Sequence, residues 1–229
     1  MRVLLLHALP LDERMWEPQR DALAGHDVVA PNLYALGGDS MDAWAIELLP
    51  EVGDGVVIVG ASMGGYAGLA LARLAPERVR ALVLAGSRAD PDSPGRKADR
   101  VETIRSVQQG GAEALWEKMS PLLTAGAAQD VADRVHGVAL EQRTEDLVRA
   151  LTAIRDRPDS TDVVASLEAP VLVVVGDQDA LVAPEEARGL AATAPDGRAV
   201  VLERAGHLPS LQQPDRFNEE LLALLDELG

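Results

Sequence analysis

Gly60-Ala61-Ser62-Met63-Gly64 sets a serine between glycines at the spacing G-x-S-x-G. The apolar run Val56 to Val59 comes directly before it, and a stretch of helical spacing through Tyr66, Leu69 and Leu74 comes directly after. A serine on such a strand-to-helix turn is held in strained backbone with its hydroxyl presented outward. Small neighbours are needed for strand and helix to approach, which Gly60, Gly64 and Gly65 provide. The chemistry this suits is nucleophilic attack on a carbonyl. A Gly-rich turn without chemistry is the competing reading, and the strand and helix on either side count against it. A serine hydroxyl at its ordinary pKa is a weak nucleophile, so a base must take its proton, and a carboxylate must fix the tautomer of that base.

The chain has 4 histidines. His26 stands before a short strand, His136 lies in a charged helical stretch, and both have ordinary surface explanations. His7 ends the first strand and precedes the serine, whereas the expected order for this turn is Ser, then acid, then His. His207, in the loop Arg204 to Pro209 after the last strand, satisfies that order and is the expected base. The acid belongs on the loop after the preceding strand, where Gly176-Asp177-Gln178-Asp179 offers two candidates. Glu185 and Glu186 follow Pro184 in the first turn of a helix, where acidic residues favour the helix dipole without reacting. An acyl-transfer site also needs two donors for the oxyanion. The backbone N–H groups of Met63, after the serine, and Leu9, in the loop His7-Ala8-Leu9-Pro10, are assigned to it. Pro10 has no N–H to give, and His7 is expected to brace this loop by hydrogen bonding.

These loops require a scaffold of strands ending on one side. Six short runs rich in Val, Leu and Ala supply it: Val3 to Leu6, Asp27 to Ala30, Val56 to Val59, Val79 to Leu84, Val171 to Val175 and Ala199 to Leu202. They alternate with helical stretches at Trp16 to Ala24, Met41 to Leu49, Met63 to Leu74, Pro184 to Ala194 and Pro214 to Leu228. Apolar on both faces and separated by helices, such runs predict a mostly parallel six-stranded sheet with helices on both sides, an α/β fold. From about Ser87 to Ser166 the alternation stops and only charge-laced helical spacing remains. The expected organisation is therefore a core domain of residues 1–86 and 167–229 with a helical cap insertion at 87–166. Trp116, Met119, Leu122 and Leu123 form the most apolar patch of the insertion, and Trp116 and Met119 are expected to touch substrate.

Composition sets the outer limits. At 229 residues, 47% of them hydrophobic, the chain has material for one large buried core. It contains no cysteine, which excludes thiolate nucleophiles, disulfides and Cys-based metal sites. A net charge of −16 repels phosphate backbones and anionic lipid, so neither nucleic acid nor a membrane is an expected partner. No apolar run reaches the length of a membrane span, and the expected location is cytoplasmic.

The loop HALPLD (7–12) with Trp16, the turn GASMGG (60–65), GDQDALVAP (176–184) and AGHLPSLQQPDRFN (205–218) together resemble the α/β-hydrolase superfamily over essentially the whole chain. Within it the chain most resembles the small esterase and lactonase branch that includes 3-oxoadipate enol-lactonases, through SMGG, RPDS (157–160) and GHLPxLxxP (206–214). The resemblance implies the α/β-hydrolase fold and selects Asp179 over Asp177 as the acid. It departs from the family pattern at His7-Ala8, where relatives usually have His-Gly. The expected activity is hydrolysis of a small uncharged carboxylic ester or lactone through an acyl-enzyme, with no metal or organic cofactor, by a monomer or homodimer. The same triad can serve carbon–carbon bond hydrolysis, perhydrolysis or lyase chemistry, and a ligand receptor on this fold is the reading of another class.

Overall fold

A computed structural model describes residues 1–229. Six strands, β1 (Arg2–Leu6), β2 (Asp27–Val29), β3 (Val56–Ala61), β4 (Val79–Ala85), β5 (Val171–Gly176) and β6 (Gly197–Leu202), form one sheet in the order β2-β1-β3-β4-β5-β6. Every neighbouring pair is parallel. The fold class read from the sequence is the one observed.

Successive residues of a strand face opposite sides, and the core divides accordingly. Leu4, Leu6, Ile58, Leu82, Leu84 and Val173 face one layer. Helices α2 (Met41–Leu48), α3 (Met63–Leu74) and α8 (Pro184–Ala191) cover it. Val3, Leu5, Val57, Val59, Val83 and Val174 face the other, covered by α1 (Glu17–Ala22), the short α9 (Pro209–Gln212) and α10 (Pro214–Glu227). On α10 the buried residues Phe217, Leu221, Leu224 and Leu225 recur at helical spacing, each contributing about 1.5–3 kcal/mol by leaving water. The expected helix at Trp16 to Ala24 is instead a tight turn at Glu13–Trp16 followed by α1, because Pro18 sits in the first turn and starts the helix anew. The edge strand β2 is only 3 residues long and carries the ion pair Arg2–Asp27, features that discourage pairing with another chain.

Residues 87–166 hold four helices and no strand: α4 (Pro94–Leu123), α5 (Gln129–Leu140), α6 (Thr144–Asp156) and α7 (Thr161–Ser166). They do not form a separate core. Leu147, Ala150, Leu151 and Ile154 of α6 belong to the same apolar cluster as β3 and α3. Helix α4 is broken at Gly111, whose φ of 63° and ψ of −149° are open to glycine and costly for other residues. The two halves fold back, so that Lys118 hydrogen-bonds Thr103 across the break. No helix is long and apolar enough to cross a membrane.

The chain passes from β1 outward to β2 and returns to β3 on the other side of β1. Such a switch point leaves a crevice beyond the C-terminal ends of β1 and β3, where open α/β sheets bind ligands. The loop beginning at His7 and the turn at Ser62 occupy those two ends.

Candidate active site

Ser62 lies between β3 and α3 with φ 48° and ψ −109°, a region costly for any residue with a Cβ. The neighbours explain how the turn closes. A Cβ on Gly60 would stand 2.5 Å from the Gly64 carbonyl oxygen, and one on Gly64 would stand 2.0 Å from that of Leu6. The Ser62 N–H donates to the Ala85 carbonyl at 2.8 Å, and the buried Ser87 hydroxyl, 3.0 Å from the Ser62 carbonyl, donates to it. Strain at the serine is thus held by both adjoining strands.

The His207 Nε2 lies 2.9 Å from Ser62 Oγ. Its Nδ1 lies 3.0 Å from each oxygen of Asp179, whose side chain is fully buried. Asp179 Oδ1 also accepts the N–H groups of Leu181 and Val182, at 2.8 and 3.1 Å, which fixes the carboxylate plane. Asp177 points elsewhere: it is exposed, and its Oδ1 accepts the Ala205 N–H at 3.2 Å, joining the acid loop to the histidine loop. The structure therefore brings together Ser62, His207 and Asp179 and leaves Asp177 as a strut.

The Met63 N–H is the first of α3 and, like that of Leu9, has no acceptor within the protein. Both residues adjoin the serine, Met63 in sequence and Leu9 across the cavity. The positive end of the α3 dipole points the same way. His7 is buried behind this loop. Its Nε2 accepts the Leu33 N–H at 2.8 Å, so the proton sits on Nδ1, which donates to the Ala8 carbonyl at 3.1 Å. Burial lowers the His7 pKa from 6.5 to about 4, outweighing the Ala8 carbonyl and the charge of Asp12. The folded protein therefore holds His7 neutral, whereas the unfolded chain protonates it near 6.5. This contribution to stability is complete above pH 6.5, shrinks as pH falls toward 4 and is gone below that. It amounts to about 3 kcal/mol. In His7→Gln, the decline in unfolding free energy between about pH 7 and pH 4 should be smaller by that amount, as read from denaturant titrations at each pH.

Gln212 carries no motif or spacing that marks it in the sequence. Its Oε1 accepts the N–H groups of Gly206 and Leu208, at 2.8 and 3.2 Å, one on each side of the histidine. Its Nε2 donates to the Ala125 carbonyl at 2.9 Å, in the connection between α4 and α5. The side chain thus clamps the histidine loop to the helical segment. Gln212→Leu should destabilise the protein by about 1–3 kcal/mol. It should also lower kcat roughly tenfold at nearly constant KM, because the imidazole loses its fixed position. A change in melting temperature alone would leave Gln212 a structural residue.

Ser62, His207 and Leu9 open onto a cavity of about 130 Å³. Met119 lines it, with Tyr66, Leu122, Ile154 and Val182. Trp116 does not, contrary to the sequence expectation: its ring stacks on His136, with centroids 4.7 Å apart. The indole is used to pack α4 against α5, and helical spacing alone could not tell that face from the one toward the serine. The cavity also holds Arg88, Arg96, Arg100 and Lys118 against a single acid, Asp92.

A serine on a strained strand-to-helix turn, hydrogen-bonded to a histidine that a buried aspartate orients, on a parallel sheet, defines a class of hydrolytic enzymes. The chain belongs to the alpha/beta hydrolase family, whose model matches residues 3–220, and it is a hydrolase of the serine-esterase kind. It is 28% identical to the pimeloyl-[acyl-carrier protein] methyl ester esterase of Pectobacterium atrosepticum, over 96% of this chain and 92% of that protein. A solved structure of a thermophilic esterase from Thermogutta terrifontis, with malate bound, is 34% identical. That match has a TM-score of 0.94 and covers 100% of this chain and 90% of the other. The enol-lactonase of Burkholderia xenovorans shares the fold, with a TM-score of 0.84 at 23% identity, covering 98% and 91%.

Proposed function

We propose that this hydrolase cleaves a small carboxylic ester or lactone through an acyl-enzyme on Ser62. The observation that carries the reading is the unbroken chain of contacts from Asp179 through His207 to Ser62 Oγ. Asp179 accepts a hydrogen bond from the Nδ1–H, which leaves the Nε2 lone pair facing the serine hydroxyl. His207 takes the hydroxyl proton as Oγ attacks the ester carbonyl, and the resulting oxyanion is received by the N–H groups of Met63 and Leu9. Collapse of the tetrahedral intermediate breaks the bond to the alcohol, which leaves with the proton from His207. Water, deprotonated by the same imidazole, then releases the acid and restores Ser62. None of these steps uses a metal or an organic cofactor. Residues 87–166 act as a cap over the serine, with Met119 placed against substrate.

The names of the relatives support an ester: one is a methyl ester esterase and another a thermophilic esterase. A screen of aryl esters, lactones and thioesters should find turnover with at least one class. Turnover of none of them, by protein that a fluorophosphonate still labels at Ser62, would move the reading to carbon–carbon bond or lyase chemistry.

A further inference from the structure

The protein carries a net charge of −16, yet its cavity is basic. The ion pairs around it do not cancel that charge. Arg88 is held by Asp90 and Glu186, each at 2.8 Å, and is accounted for. Arg96 reaches Asp90 only at 3.5 Å, and Asp90 is already engaged with Arg88. Arg100 Nε lies 3.2 Å from one oxygen of Asp92, whose other oxygen binds the buried Arg157 at 2.9 Å. One carboxylate thus serves two guanidiniums. Lys118 has no carboxylate within ion-pair distance, and its ammonium donates only to the Thr103 hydroxyl and, at 3.5 Å, to the Asp99 carbonyl. Five cationic side chains therefore face three carboxylates.

The fold presents these charges on purpose-built faces. Arg96, Arg100 and Thr103, spaced i, i+4 and i+7, lie along one side of the first half of α4. Lys118, Met119 and Leu122 come from the second half, turned back at Gly111. Both halves line the same cavity as Ser62, with the apolar side chains of Tyr66, Ile154 and Val182. A cationic group without a counter-ion, beside apolar walls and facing a nucleophile, is a receptor for an anion on the substrate.

We propose that the substrate is an ester bearing a carboxylate remote from the scissile carbonyl, such as a half-ester of a dicarboxylic acid, and that Arg100 and Lys118 bind that carboxylate with Arg96 beside them. This rests on the ester reading above and replaces the uncharged substrate expected from the sequence. A single negative charge fits better than a dianion, because Asp92 remains in the lining and repels a second one.

The test compares mono-p-nitrophenyl glutarate with p-nitrophenyl valerate, esters of similar length that differ in the carboxylate, on the full chain at low salt. The expected result is a kcat/KM at least about tenfold higher for the glutarate, expressed mainly in KM and reduced by added salt. Arg100→Met and Lys118→Met should each bring the ratio of the two substrates close to one, and Lys118→Arg should keep most of it. Lys118 is exposed, so its variant tests the proposal even if loss of Arg100 disturbs Asp92. Turnover of both esters with equal kcat/KM, repeated with the succinate and adipate half-esters and their neutral counterparts, would overturn the carboxylate site and leave the hydrolase reading intact. A preference that survives both Met variants would also overturn it. Turnover of neither ester would remove the ester reading and this proposal together.

Discussion

Ser62→Ala is expected to reduce kcat on any accepted ester on the order of 10⁶-fold, with KM and melting temperature nearly unchanged. The reason for so large a loss with so little structural cost is that Oγ has one partner, the His207 imidazole. The backbone at residue 62 is fixed by other groups: the Ala85 carbonyl, the Ser87 hydroxyl and the close packing allowed by Gly60 and Gly64. An alanine keeps the same Cβ and so inherits the same positive φ without a new clash. The cavity, the Met63 and Leu9 donors and the cationic side chains all remain, so binding persists while the covalent step is lost. Ester hydrolysis rates, intact-mass detection of a fluorophosphonate adduct and a thermal melt on the two proteins measure this. An adduct on any other residue of Ser62→Ala, with hydrolysis retained, would refute the assignment of the nucleophile.

What the sequence disclosed followed from how local each signal is. The four inner strands are buried on both faces and so almost wholly apolar, and the two edge strands keep enough Val and Ala to be legible beside them, with ends displaced by one or two residues where apolarity fades, as at Gly197. The serine turn was legible because strain and close packing leave little choice of residue around it. Asp179 and Asp177 could not be separated by residue type, since both follow the glycine that ends β5. Their difference arises two residues later, when Asp179 turns inward onto the N–H groups of Leu181 and Val182. Gln212 and the basic cavity were not legible, because their roles come from partners distant in the chain. Gln212 meets Ala125, and Arg157 meets Asp92. Trp116 is conspicuous in the sequence by its size, but which face of α4 points toward the serine depends on the break at Gly111, which hydrophobic spacing does not encode.

Asp179→Asn should cut turnover by roughly 10⁴ while the fold stays intact, a rise of about 5 kcal/mol in the barrier. The geometry decides how the new amide must sit. In the wild type both carboxylate oxygens lie 3.0 Å from His207 Nδ1, but Oδ1 already accepts two backbone N–H groups, from Leu181 and Val182, so Oδ2 is the oxygen free to receive the imidazole proton's hydrogen bond. An asparagine keeps the two backbone bonds only by placing its oxygen at the Oδ1 position, which puts its NH₂ against the imidazole. The reverse placement would set the NH₂ against two buried N–H donors, a loss of about 1–3 kcal/mol for each group left unpaired. The NH₂ therefore donates to Nδ1, the imidazole proton moves to Nε2, and the nitrogen facing Ser62 can no longer accept a proton. The same substitution at Asp177 has no such consequence, because its oxygen needs only to accept the Ala205 N–H and the amide oxygen can do so. Asp177→Asn should change turnover by less than about tenfold and lower stability by no more than about 1 kcal/mol. Steady-state rates, thermal melts and the nitrogen chemical shifts of His207 in both variants separate the two roles. Near-normal turnover in Asp179→Asn with collapse in Asp177→Asn would reverse the assignment, and an Nδ1-protonated His207 in Asp179→Asn would show that the amide had not turned as the two backbone donors require.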